Sequence, residues 1–302
     1  MTKVLVTGAA GFVGRHLVQA CLARGWDVAG IDVRPVELNG STLIVGDFAN
    51  RDDVTQAVKD VDYVFHEGAV SSSPMFEPDP SRGVEVNVMG GLILLQACAE
   101  AGVKRFVYAS TSSLYGNLSV PWREDMAIHA TPNAYAASKL AFEYLAKVYT
   151  TRGELDTVGL RYFSIYGPGE ETKGIYANMI SQFLWAMRKG ERPVIYGDGN
   201  QTRDFTHVDD AVRANLLALG TESVGEVFNV GTGRETSINT LVRKLSELLS
   251  RPIEPVYVPN PIRNYVCRTL ADTTKAENFL GFKAAISFEE GVAHLVREGA
   301  KQ

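Results

Sequence analysis

The sequence predicts an α/β fold, a doubly wound parallel sheet joined to a smaller, mostly helical substrate-binding lobe. Three observations point there. Short apolar runs alternate with helical patterns from the start to about residue 167. The first run meets three glycines spaced three apart, Gly8, Gly11 and Gly14, and an amphipathic run over 15–24 follows at once. After Gly167-Pro168-Gly169 the rhythm breaks. Strand–helix alternation at that spacing covers both faces of a parallel sheet, so its strands are apolar almost throughout.

Taken in order, the pattern predicts strands over 3–7, 27–32, 42–46, 63–66, 105–110 and 157–162. Helices lie between them, among them 83–101 and 133–152. Beyond residue 169 it predicts a helix over 176–189, a strand over 193–196, a helix over 208–219, a strand over 227–230 and a helix over 237–249. A proline-rich loop over 252–261 and a helix-rich tail over 273–298 follow. The expected division is a cofactor-binding domain over 1–167, with 198–230 returning to it, and a second lobe from 168–197 and 231–302.

Composition narrows the function. A hydrophobic share of 45% with 22% charged residues is ordinary for a soluble globular chain of 302 residues. A net charge of −5 argues against a nucleic-acid partner, which would need a basic surface. Cys21, Cys98 and Cys267 are odd in number and far apart, and read as reduced, mostly buried thiols of a cytoplasmic protein, with no disulfide framework and no metal site. The first residues already form a strand, so no leader is expected. The longest apolar stretch, 88–99, is too short to span a bilayer, so no membrane partner is expected.

The glycine turn fits a pyrophosphate. Gly8 lets the chain turn, Gly11 lets the backbone approach the phosphates, and Gly14 lets the helix pack on the strand. The free N–H groups at the helix start, around Phe12 and Val13, then hold the negative charge. A second strand ends on Asp32, about twenty residues on, where a carboxylate would accept ribose hydroxyls. This is a Rossmann-type arrangement, with the ligand at the carboxyl ends of the strands.

A second constellation carries chemistry. Tyr135 and Lys139, four apart near the start of a helix, face one cleft. A nearby ammonium lowers a phenol pKa from its usual value of ~10 and makes it a general base. Upstream, Phe106-Val107-Tyr108-Ala109-Ser110-Thr111-Ser112-Ser113 is a buried strand ending in hydroxyls at the carboxyl edge of the sheet. One such hydroxyl beside the tyrosine can share its proton; the others read as loop and cap residues.

With Gly46-Asp47, His66, Asn87, Arg161-Tyr162-Phe163-Ser164, the run from Gly197 to Phe205, Val208-Asp209-Asp210 and Phe228-Asn229-Val230-Gly231, these motifs resemble the extended short-chain dehydrogenase/reductase family, and within it the nucleotide-sugar epimerases. The resemblance runs almost end to end. It implies Tyr135 as base, Lys139 on the nicotinamide ribose, Thr111 as the catalytic hydroxyl, and Asp47 with Phe48 at the adenine of NAD. It implies Asn178, Arg203 and, less closely matched, Arg263 on the substrate's diphosphate, for which a forked, permanently charged guanidinium is suited. A homodimer through the helices over 83–101 and 133–152 is implied too.

Among the family's reactions, dehydratases resemble this chain but carry Asp-Glu after the catalytic Thr, where it has Ser112-Ser113. Decarboxylases want a Glu where it has Leu114. What remains is epimerisation at C4 of a nucleotide sugar, with a UDP-sugar favoured. Asp32 favours NAD over a 2′-phosphorylated cofactor, with Arg34 nearby pulling the other way. His66-Glu67-Gly68-Ala69 looks somewhat like the ADP-heptose 6-epimerases, which keeps that reaction, and a 4-keto-sugar reductase, as alternatives. A non-catalytic NAD-binding sensor would usually lose the Tyr or the Lys.

Overall fold

The computed structural model describes residues 1–262 and 265–298. Six strands, β1 (Lys3–Thr7), β2 (Asp27–Asp32), β3 (Thr42–Val45), β4 (Tyr63–His66), β5 (Arg105–Thr111) and β6 (Thr157–Tyr162), are joined by a seventh, Glu226–Val230. Every pairing is parallel, and the order across the sheet is Glu226–Val230, β6, β5, β4, β1, β2, β3. The chain winds outward from β1 to β3, returns to β4 beside β1, and winds out the other way. That reversal leaves a crevice at the carboxyl ends of β1 and β4.

Helices cover both faces, as the apolar strands require. Phe12–Leu22 and Val208–Ala218 bury one face with Val4, Val6, Phe65 and Phe228. On the other face, Arg51–Ala57, Gly91–Glu100 and Ala134–Thr151 pack over Leu5, Val64, Phe106 and Tyr108. A separate apolar cluster forms beyond residue 163, from Tyr166, Ile180, Leu184, Met187, Ile195, Phe205, Leu241, Leu245 and Val292.

One expectation is refined and another corrected. The helix expected over 83–101 runs unbroken from Pro80 to Glu100, with a π-helical stretch over Glu85–Gly90 at its middle. The widened turn coincides with Asn87, whose amide reaches back to both backbone groups of Val70 and to Ser138. Just beyond it, a Cβ on Gly90 would collide with Ala49 and crowd Phe48, and one on Gly91 would collide with Phe142. The loop over 252–261 contains a short strand, Val256–Val258, paired parallel with Val194–Tyr196. Prolines confine it to three residues at the edge of a two-stranded sheet. Among the described residues, no helix is long and apolar enough to cross a membrane.

Candidate active site

The cleft at the carboxyl edge is lined first by backbone. Gly8 turns with φ +66°, and its α-carbon has Gly68 pressed against it, since a Cβ on Gly8 would stand 2.7 Å from the Gly68 nitrogen. A Cβ on Gly14 would meet the Gly8 carbonyl oxygen at 2.1 Å, and one on Gly11 the same oxygen at 2.9 Å. The Phe12–Leu22 helix starts on Gly11 with no side chain capping it. Its first N–H groups, those of Phe12 and Val13 included, are thus left for an anion from outside. The Phe12 ring is buried beneath the Lys173 ammonium, 5.4 Å from its centre.

Asp32 ends β2 almost buried. One carboxylate oxygen accepts the Ala10 N–H at 3.0 Å, and the other accepts from the Arg34 backbone at 3.0 Å and its Nε at 3.3 Å. Asp47 accepts from Ala49 and Arg82. The Phe48 ring stands edge-on to His66, with centroids 5.0 Å apart.

Opposite the glycines, Asn133 caps the Ala134–Thr151 helix by accepting from Ala136 N–H, which fixes where the helix begins and so where Tyr135 and Lys139 fall. Both are buried. Lys139 Nζ donates to the Ala109 carbonyl at 3.0 Å. The Thr111 hydroxyl, at the end of β5, accepts from the Ser113 N–H and is hydrogen-bonded to the Tyr135 phenol. Burial pushes that phenol up to about 12, and the Thr111 bond only partly offsets it. This corrects the expectation that Lys139 lowers the phenol in the free protein: burial is the larger effect. The ammonium is spent on a carbonyl, and burial brings Lys139 itself down to about 8 against the pull of Glu67 and Glu143.

A polar network lies beneath Lys139 that the sequence reading did not find. Glu143, one helical turn on, receives Arg161 through Nε at 2.9 Å and Nη2 at 2.7 Å, and the Ser110 hydroxyl at 2.5 Å. Arg161 also donates to the Tyr115 hydroxyl, which donates to Asn229. The i, i+4 spacing of Lys139 and Glu143 on a buried face was the available signal.

Well over half the chain, residues 4–231, matches the model of the NAD dependent epimerase/dehydratase family. The chain belongs to that family. It is 34% identical to the UDP-glucose 4-epimerase of Mycolicibacterium smegmatis, over 97% of each chain. It is 32% identical to the UDP-N-acetyl-alpha-D-glucosaminuronate decarboxylase of Bacillus cytotoxicus, over 98% of this chain and 97% of that one. Among solved structures it is similar to MoeE5 in complex with UDP-glucose and NAD, at 36% identity over 99% of each chain with a TM-score of 0.91.

The cofactor of this epimerase/dehydratase family is NAD, and the residues present fit it. A glycine cradle that no Cβ could enter, an uncapped helix start and a carboxylate ending β2 are the features a dinucleotide needs. The residues expected on the substrate lie elsewhere. Asn178 caps the Met179–Arg188 helix, and its amide donates to the Ser164 and Ile165 carbonyls at 3.1 and 3.2 Å. Arg203 sits over the Tyr265 ring at 5.1 Å and donates to the Thr202 and Cys267 carbonyls. Asp204, its neighbour, is buried and takes N–H groups from Thr232, Gly233 and Ala271. Arg263 lies outside the described residues.

Proposed function

We propose that the protein epimerises a UDP-sugar at C4, of the UDP-glucose/UDP-galactose type, through a transient 4-keto sugar. The observation that carries this is the meeting of Tyr135, Thr111 and Lys139 at the carboxyl edge of β5, across the cleft from the glycine cradle. Gly8, Gly11, Phe12, Val13, Gly14, Asp32, Asp47 and Phe48 would hold NAD. When bound, NAD would supply the acceptor for hydride from C4. Tyr135 takes the proton of the sugar 4-hydroxyl and later returns it; Thr111 hydrogen-bonds the reacting oxygen; Lys139 holds the nicotinamide ribose. The raised phenol of the free protein would keep Tyr135 protonated until the cofactor is bound.

The substrate's diphosphate falls in this reading to Asn178 and Arg263, from the lobe formed by 168–197 and 231–302, together with Arg203 from the 198–230 stretch. Ser112-Ser113 and Leu114 lack the carboxylates expected of a dehydratase or a decarboxylase, which supports epimerisation. We also infer a homodimer, supported by exposed Val84 and Met89 near one helix and Tyr144 and Val148 on the other.

The test is incubation of the purified protein with UDP-galactose and no added NAD, with products separated by chromatography. Conversion to UDP-glucose is expected. Stoichiometric consumption of NAD, or a stable keto sugar, would sink the reading.

A further inference from the structure

Two motifs that the reaction leaves unexplained, Gly167-Pro168-Gly169 and Val208-Asp209-Asp210, meet at one histidine. His16 lies one turn into the Phe12–Leu22 helix, and its ring stands edge-on to Phe12 with centroids 5.6 Å apart. Its Nε2 is 2.9 Å from the Pro168 carbonyl oxygen. A carbonyl oxygen only accepts, so the proton of this bond is on Nε2. Nδ1 is left facing the Asp209 carboxylate at 3.9 Å. The helix that begins in the glycine cradle is thereby tied to the turn by which the chain passes from β6 toward the second apolar cluster.

That turn is closely seated. Gly169 has φ +88°, and a Cβ there would stand 3.8 Å from His16 Nε2. A Cβ on Gly167 would collide with Val208, at the start of the Val208–Ala218 helix. His207, which caps that helix, is buried edge-on against Tyr166. Asp210 is committed to Arg213 and to the N–H groups of Ala285 and Ile286. Of the two acids, Asp209 faces the histidines, with its other oxygen 3.5 Å from His207 Nδ1.

From the turn, bonds run on to the residue placed above on the substrate's diphosphate. Glu170 is buried and accepts the Asn178 N–H at 2.9 Å, the Lys173 ammonium at 3.2 Å and the Ser181 hydroxyl at 2.5 Å. Lys173 also reaches back over the Phe12 ring, but that contact is partly exposed and has no fixed direction. The His16 bond is directional, and its polarity is fixed.

We propose that His16 is a positioning residue that couples two binding sites: by holding Pro168, it makes the seating of NAD on the glycine cradle and of the substrate's diphosphate beside Asn178 favour each other. The inference rests on the reading that places NAD and the diphosphate at those sites. A dinucleotide orders the first turn of the Phe12–Leu22 helix, and His16, one turn on, carries that order to the Glu170 anchor. A ligand on Asn178 orders the same anchor from the other side, so each ligand loses less entropy when the other is present.

The experiment follows the loss of bound NAD from the holoenzyme during exchange into cofactor-free buffer, with and without UDP as the probe. In the wild type UDP should slow the loss by about 5-fold or more, the usual size of a coupling between sites. H16L, which removes the donor and keeps the bulk, should lose NAD at the same rate in both buffers. H16Q, whose amide still donates, should keep most of the wild-type effect. Calorimetry should show UDP binding the H16L holoenzyme about 5-fold more weakly than the wild type. Thermal unfolding without UDP separates this from a merely structural role. A histidine that only stabilises the fold would lower the midpoint in H16L and leave the effect of UDP on NAD loss as in the wild type, and that result overturns the proposal. A wild type that binds UDP without slowing NAD loss also overturns it. UDP that fails to bind the holoenzyme would instead overturn the reading of the diphosphate site, and the proposal with it.

Discussion

Two carboxylates near this edge of the sheet, Glu143 and Glu67, are held in opposite ways. Glu143 is enclosed beneath β5 and β6, with a bidentate arginine, a serine hydroxyl and, beyond them, Tyr115 and Asn229 completing the bonds. Glu67 stands at the cleft, bound by a phenol that is itself bound by an amide. The first network is closed in charge and in hydrogen bonds, so it behaves as part of the framework. The second ends on an acceptor with no hydrogen-bonded cation. The difference teaches that a buried ionisable group is suspected of function by what its partners leave unbalanced, since burial alone marks both.

The comparison breaks most visibly at the reaction centre. Replacing Tyr135 by Phe should lower kcat by about 10²–10⁴-fold, the usual contribution of a general base, with unchanged unfolding by urea. Initial rates and a denaturant curve on the same preparation check it. Opening the closed network should do the reverse. Arg161→Met leaves Glu143 buried without its cation and should cost about 3–5 kcal/mol in urea unfolding, partly recovered when Glu143→Gln is added. A smaller effect is expected from Tyr115→Phe, which removes the hydroxyl between Arg161 and Asn229: about 1–3 kcal/mol of stability, with the pH profile of activity unmoved.

Much of the site's first half was legible because it is local. The glycines at 8, 11 and 14 announce a backbone that must come close to something, and the structure leaves no room there for a Cβ. Asp32 and the Tyr135–Lys139 pair follow from the ends of elements whose period is plain in the sequence. The second lobe was less legible. The strands Thr202–Arg203 and Thr236–Ser237 are two residues each and pair antiparallel, so no periodicity exists to find them. Asn178 was found as a motif, but its part as a helix cap binding two backbone carbonyls depends on how residues 164–178 fold back.

Apart from Thr111, which the family resemblance singled out, the sequence by itself determined the parallel sheet, its winding, the glycine turn and the four-residue spacing of Tyr135 and Lys139. Each of these rests on spacing within one element or at its end, where geometry follows from the helical and strand repeats. Only the tertiary structure decided the electrostatics. Burial raises the Tyr135 phenol and lowers the Lys139 ammonium, while Arg161, from β6, neutralises Glu143 and Tyr162, from the same strand, gives Glu67 only a phenol. Those outcomes depend on desolvation and on partners 18 and 95 residues away along the chain, which no local pattern encodes.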